Sequence, residues 1–276
     1  EMLRSLVGSE MCIRDRGLLV NGTLTWTEDM RYASVLGLIG FSCAIAGTCI
    51  LLCRRTGAIA AAAGGLLGLI ALLQFTCGSF TPDGSVNSWV DMHWLPGRLH
   101  GGVFDPEGPL CIASASALCM GGWLAGKFLK ESRLPSVRLC MAMMGAGILL
   151  FSAARMLDGA YPIIKSMWTG TFVLAAAGIS LMLLSLFHLA VDAWNGGKWA
   201  KWAFPLRVIG VNALAAYLIH ALLNVHELNQ RIFSGAADFF PPFQPVLLAV
   251  SLLLLQWLVL LFFYRRRISF AKSPAK

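Results

Sequence analysis

The sequence predicts an all-α fold, a polytopic transmembrane helical bundle of about seven spans, and three observations carry that prediction. Charged residues make up only 13% of the chain against 57% hydrophobic ones, with a mean hydropathy of +0.70, whereas a soluble domain carries about 25% charged residues to cover its surface. The apolar runs approach the roughly 20 residues that a helix needs to cross the hydrocarbon core. Gly and Ala recur inside those runs, as close helix packing in lipid requires, where a membrane barrel would show short alternating segments instead.

The first residues stand apart. Glu1 to Arg16 reads EMLRSLVGSEMCIRDR, and the LVGSEMCIRDR portion resembles the translated adapter read-through that contaminates assembled metagenomic reads. The stretch has no continuous apolar core and no small-residue cleavage site, so it does not read as a signal peptide. On this reading residues 1–16 are a non-native leader, and residues 17–276 form a single transmembrane domain that is truncated upstream.

Apolar run length and the bounding charges and turn residues place the spans near Tyr32 to Cys53, Gly57 to Cys77, Pro109 to Leu129, Val137 to Leu157, Thr169 to Ala190, Pro205 to Leu223 and Pro245 to Phe263. Val225 to Phe243 reads instead as an amphipathic segment with a Pro241-Pro242 break, suited to lying in the membrane interface. No repeat, linker or low-complexity tract divides the chain.

Basic residues near the span ends set the expected orientation. One side collects fourteen: Arg54, Arg55, Lys127, Lys130, Arg133, Arg138, Lys198, Lys201, Arg207, Arg265, Arg266, Arg267, Lys272 and Lys276. The other has five, Arg31, Arg98, Arg155, Lys165 and Arg231, and most of the acids. The expectation is a bacterial inner membrane protein with a cytoplasmic C-terminus and the acidic loops in the periplasm. The net charge of +8 is then a topology signal that gives no reason to expect a nucleic-acid partner. Seven of the eight cysteines lie in or at the ends of apolar runs without metal-type spacing, so they read as small packing residues. Cys77 and Cys111 both fall near the acidic side, where a disulfide is conceivable.

Residues with chemistry gather on that side. The longest connection, Gly78 to Gly108, holds Asp91, His93, Trp94, Arg98, His100, Asp105 and Glu107 among several Gly and Pro residues. A loop of about 30 residues is far above the usual connection length, and long ordered loops are usually functional. Asp105 and Glu107 stand just before Pro109, so they read either as a site or as caps favoured by the macrodipole at the start of the third span. Lys165, in Tyr161-Pro-Ile-Ile-Lys-Ser-Met-Trp-Thr169, is either a partner for an anion or a snorkelling lysine beside the interfacial Trp168. Asn212 and His220 are eight residues apart, close to two helical turns, and share one face of the sixth span. That face serves either helix-to-helix hydrogen bonding or a cavity lining. His188 and Asp192 form a weaker i,i+4 pair at the basic end.

Taken in order, DPEG at 105–108, PIIKSMWTGTFVLAAAG from Pro162, and WAFP followed by VIGVNALAAYLIH resemble the heparan-alpha-glucosaminide N-acetyltransferase family and its bacterial relatives of unknown function. The resemblance covers most of Val86 to Phe263. It implies a multi-span acyltransferase that takes acetyl from cytoplasmic acetyl-CoA, its co-substrate, and transfers it to the amino group of a terminal glucosamine on the far side. The matching positions are Asp105, Pro106, Glu107 and Gly108, then Pro162, Lys165, Trp168 and Thr169, then Gly210, Asn212, Tyr217 and His220. Of these, Asp105, Glu107, Lys165, Trp168, Asn212 and His220 are the candidate substrate-binding residues; no metal is implied. The family's proposed catalytic histidine belongs to a His-x-x-Trp segment ahead of the first span, and nothing upstream of Tyr32 matches it. The expectation is a fragment, inactive alone, in which His220 is the remaining candidate base.

The chemistry can be stated without the resemblance. Acetylating an amine needs a neutral nitrogen, a base that works near neutral pH and a donor for the oxyanion. Asp105 or Glu107 could orient an amino sugar, and Asn212 or Lys165 could serve the oxyanion or a CoA phosphate. Two other classes fit the same residues: a transporter for a sugar or amino sugar, and a non-catalytic scaffold with no pocket at the acidic face. Expected partners are the lipid bilayer and an amino sugar or glycan; homo-oligomerisation stays open.

Overall fold

The computed structural model describes residues 33–53, 55–100, 102–132, 134–193, 200–222, 225–237 and 241–266. The leader over residues 1–16 lies outside them. The described residues form helices and loops with no strand, and their contacts fall into two compact units, Glu1–Gly196 and Gly197–Lys276.

The first unit holds α1 (Val35–Leu52), α2 (Thr56–Thr76), the short α3 (Val86–Trp94), α4 (Pro109–Glu131), α5 (Ser136–Leu157) and α6 (Gly170–His188), which runs on into a π-helical turn at Leu189–Ala193. Side-chain oxygens start three of them. Ser34 accepts from Gly37 N–H at 3.0 Å, Ser85 from Ser88 N–H at 3.1 Å and Thr169 from Phe172 N–H at 3.4 Å. Proline supplies the first turn of α4. Helices α1 and α2 both pack on α4, where Ala46, Ile59, Ala63, Ala117 and Met120 are buried together.

The closest helix contact is between α5 and α6. A Cβ added at Gly147 would stand 2.8 Å from Gly178 O, and one at Gly178 would stand 2.7 Å from Gly147 O, so the two backbones touch where both side chains are absent. Ser185 Oγ then donates to Cys140 O at 2.7 Å, satisfying a buried hydroxyl across the same pair.

The second unit holds α7 (Phe204–Val211), α8 (Ala213–Leu222), α9 (Val225–Ala237) and α10 (Gln244–Arg265). Its core is Val208, Ala215, Ile219, Val225 and Leu260. Asn229 Nδ2 donates to Leu248 O at 2.9 Å, which ties the amphipathic α9 to α10 and leaves Leu228 and Ile232 exposed.

Among the described residues six helices are long and apolar enough to cross a membrane: Val35–Leu52, Thr56–Thr76, Pro109–Glu131, Ser136–Leu157, Gly170–Asp192 and Pro241–Arg265. The chain therefore has a multi-pass helical membrane architecture, with six such helices where the sequence predicts seven. The discrepancy is the segment predicted from Pro205 to Leu223, which is interrupted at Asn212. There the backbone turns to φ −118° and ψ 29°, and the Asn212 N–H reaches only three residues back, to Ile209 O at 3.0 Å. The Asn212 side-chain amide also donates to Val208 O at 3.4 Å, competing with the helix for its carbonyl. Neither the eight residues before the break nor the ten after it are long enough to span alone.

Candidate functional site

The candidate site is built on the stretch between α2 and α4. Helix α3 buries Val86, Asn87, Ser88 and Asp91 and exposes Trp89, Met92 and Trp94. Its last turn closes with Leu95 N–H on Asp91 O at 3.0 Å, after which Gly97 and Gly102 take φ of 82° and 79°, open to glycine but strained for other residues. Those turns fold 95–108 back onto α3.

Two carboxylates organise the return. Asp91 Oδ2 accepts the backbone N–H of Asp105 at 2.9 Å. Asp105 in turn accepts His100 N–H on Oδ2 at 3.0 Å and Glu107 N–H on Oδ1 at 3.1 Å, while its carbonyl receives Gly108 N–H at 3.0 Å. Both carboxylates are buried, at 1% and 0% exposure, so backbone amides take the place of water around Asp105. Asp91 is less well served, because Oδ1 has no hydrogen-bond partner among the described residues. Burial pushes the Asp91 carboxyl up to about 6; the Asp105 N–H pulls it down and the Asp105 charge adds to the rise. The same Oδ1 lies against the α-carbon of Gly108, where a Cβ would be 2.1 Å away. A side chain at 108 would thus have to displace the Asp91 carboxylate.

Asp105 and Glu107 therefore separate in role. The sequence makes Asp105 a substrate-binding candidate, yet its carboxylate is enclosed and its oxygens hold the turn. Glu107 is half-buried at the head of α4. Neither acid caps that helix: Gly108 is the N-cap, no side chain bonds there, and the first turn contains no acid.

The second constellation is a buried polar knot. Gln74 Nε2 donates to Asn87 Oδ1 at 3.0 Å and to Met167 O at 3.3 Å, and Asn87 Nδ2 donates to Met167 O at 3.3 Å. The Tyr161 hydroxyl donates to Gln74 Oε1 and accepts Gly170 N–H, the latter at 2.8 Å, and burial raises that phenol above its ordinary value. Thr169 and Thr171 both donate to Pro162 O at 3.0 Å. Cys111 is a free thiol against Asn87 and Ser166 O, and Cys77 is free and exposed, so the conceivable disulfide is not formed. Trp168 has φ 49°, the one non-glycine residue among those described in the left-handed region. Such a conformation costs about 1–3 kcal/mol and persists where its surroundings enforce it. Here Trp168 packs edge-on against Phe172, with ring centroids 5.4 Å apart, and beside Leu38, Cys111 and Ala115. Lys165 is exposed on the same loop.

Asn212 and His220 belong to the second unit. Asn212 is buried at the break, with Oδ1 unpartnered among the described residues. The break ends the continuous helix on which the two would share a face; the side chain of His220 lies outside the described residues. His188, the last residue of α6, and Asp192, in the π-helical turn, do pair, Nδ1 to Oδ2 at 2.8 Å.

A cleft of about 370 Å³ opens beside the acid-organised turn, lined by Met92, Leu95, Gly97, Arg98, Leu99, His100 and Gly102. It brings a guanidinium and an imidazole together on the segment whose backbone Asp105 fixes. Arg98 and His100 stand in the sequence only as members of a polar loop; Gln74 and Asn87 carry no sequence signal beyond being amides near apolar runs. Among the described residues no group of three or more His, Cys, Asp or Glu is placed to hold a metal ion. Compared with known proteins, the chain matches no family model and no curated sequence.

Proposed function

We propose that this chain carries the acceptor site of a membrane-bound N-acetyltransferase that moves acetyl from acetyl-CoA to an amino sugar at the acidic end of the bundle. One observation supports it above the rest: two buried carboxylates bind the backbone at His100, Asp105 and Glu107, so that Glu107 is tied to the same clamp as the cleft bearing Arg98 and His100. A preorganised loop of this kind is what positioning an acceptor amine requires. In this reading Glu107 orients the sugar's ammonium or hydroxyls and His100 takes the amine proton. Arg98 stabilises the oxyanion as the amine attacks the thioester carbonyl and the C–N bond forms; the C–S bond then breaks, and the proton held by His100 passes to the departing CoA thiolate.

In the bacterial inner membrane the acidic end would face the periplasm, which a reporter-fusion scan at Arg55 and Gly84 tests directly. The decisive assay gives the purified protein labelled acetyl-CoA and glucosamine. Acetylated sugar is expected, with a drop of about 10²–10⁴-fold for His100→Gln and a marked drop for Glu107→Gln. Full turnover by both folded variants would remove the loop from the site.

A second reading, an amino-sugar transporter, is favoured by the break at Asn212, since interrupted helices with free ends line many transport sites. Counterflow of glucosamine in liposomes without acetylation would favour it. The cleft argues against a scaffold made of capping and packing residues alone.

A further inference from the structure

At the opposite end of the first unit, the last two turns of α4 carry a second cavity of about 380 Å³, lined by Trp123, Gly126, Lys127, Lys130 and Glu131. These positions follow an i, i+3, i+4, i+7, i+8 pattern, so one helix face supplies the whole lining. Gly126 opens it, because a Cβ there would meet nothing within 4 Å. Lys127 is fixed in place: its ammonium donates to Thr56 Oγ1 at 2.9 Å, stands 5.1 Å from the centre of the Trp123 ring and lies 3.9 Å from Glu131 Oε2. Lys130 is exposed.

The surroundings change character at this level. Phe128 on the same helix, Leu52 at the end of α1 and Leu134 before α5 are exposed apolar side chains. A tryptophan with a lysine over its ring, at the point where a spanning helix leaves its apolar run, is the arrangement expected at headgroup depth.

We infer that this cavity binds the phosphate of an anionic glycerophospholipid, with Lys127 and Lys130 as its cationic partners, Trp123 at the glycerol level and the acyl chains along the exposed apolar surface. The apolar rim selects a lipid over a free anion, since inorganic phosphate gains nothing from Phe128 or Leu134. Glu131 opposes the ligand, because its carboxylate competes for Lys127. The site is independent of the acetyl-transfer reading.

The experiment is native mass spectrometry on the purified full chain, titrated in detergent with phosphatidylglycerol and, separately, phosphatidylcholine of the same chain length. Each lysine near an anionic headgroup is worth about fivefold in affinity. Phosphatidylglycerol is therefore expected to bind about tenfold or more tightly than phosphatidylcholine. The Lys127→Gln/Lys130→Gln double variant should abolish that preference, Lys127→Arg/Lys130→Arg should keep it, and Glu131→Gln should strengthen it. Equal binding of the two lipids by the unaltered chain would overturn the proposal. So would an unchanged preference in the Gln variant, or displacement of phosphatidylglycerol by an equal concentration of inorganic phosphate. Should the Gln variant fail to fold, the Glu131→Gln result decides: no gain in phosphatidylglycerol affinity refutes the site.

Discussion

The backbone N–H of Asp105 donates to Oδ2 of Asp91 at 2.9 Å, so one buried carboxylate holds the turn that carries the other. Asp91 lies in α3 and Asp105 just before α4, which makes this bond the link between the short outer helix and the start of a spanning one.

Because its folded carboxyl titrates at about 6 against 3.8 when free, Asp91 binds a proton more readily in the fold than in the unfolded chain. The associated stability is fully present below pH 3.8 and is lost as pH rises through 6. The full amount is about 3 kcal/mol, of which about 2 kcal/mol remains at pH 4.5. Thermal melts in detergent at pH 4.5 and pH 8 should show the unaltered chain weaker at pH 8. Asp91→Asn keeps an oxygen for the Asp105 N–H and should flatten this component; an unchanged pH dependence would show that Asp91 is not its source.

Gly108→Ala should be destabilising, because the new Cβ meets Asp91 Oδ1 at 2.1 Å. A double-mutant cycle isolates the clash: in an Asp91→Ala background most of the penalty, about 1–3 kcal/mol, should vanish. Equal penalties in both backgrounds would place the problem in the glycine backbone instead.

Tyr161→Phe removes the hydroxyl that joins Gln74 to Gly170 and leaves two buried groups unpaired. A loss of about 1–3 kcal/mol is expected. Limited trypsinolysis offers a local readout, as cleavage after the exposed Lys165 should accelerate once the loop is untied.

Gly178→Val should separate α5 from α6, since its Cβ would lie 2.7 Å from Gly147 O and 2.8 Å from Phe151 N. Overpacking of this kind costs about 1–3 kcal/mol. Gly145→Ala, on α5 with open space at its Cβ, is the control and should leave the melting temperature in place.

Hydropathy made the long elements legible. The expected Pro109 to Leu129 span is observed as Pro109–Glu131, and Val137 to Leu157 as Ser136–Leu157. It failed at Asn212, because run length registers composition and not a side-chain amide bonding its own helix carbonyl. The acidic loop was legible as unusual, but its division of labour was not. Asp105 becomes a backbone clamp only through His100 and Asp91, five and fourteen residues earlier, and no local pattern encodes contacts of that kind. Gln74 is harder still, being one amide at the end of an apolar helix whose partners come from two other parts of the chain, α3 and the 158–169 loop.

That last separation has a temporal side. Gln74 and Met167 are 93 residues apart, so α2 is made well before the carbonyl its amide needs. At about 5–20 residues per second, the interval lasts about 5–20 s. Until then only Asn87, 13 residues on, is available to the Gln74 amide, and the groups that end on Met167 and Tyr161 are left to water or to the insertion machinery. The acidic end of the bundle is thus locked only after α5 has been threaded and the 158–169 loop has returned, making that loop the closing piece of the acidic end.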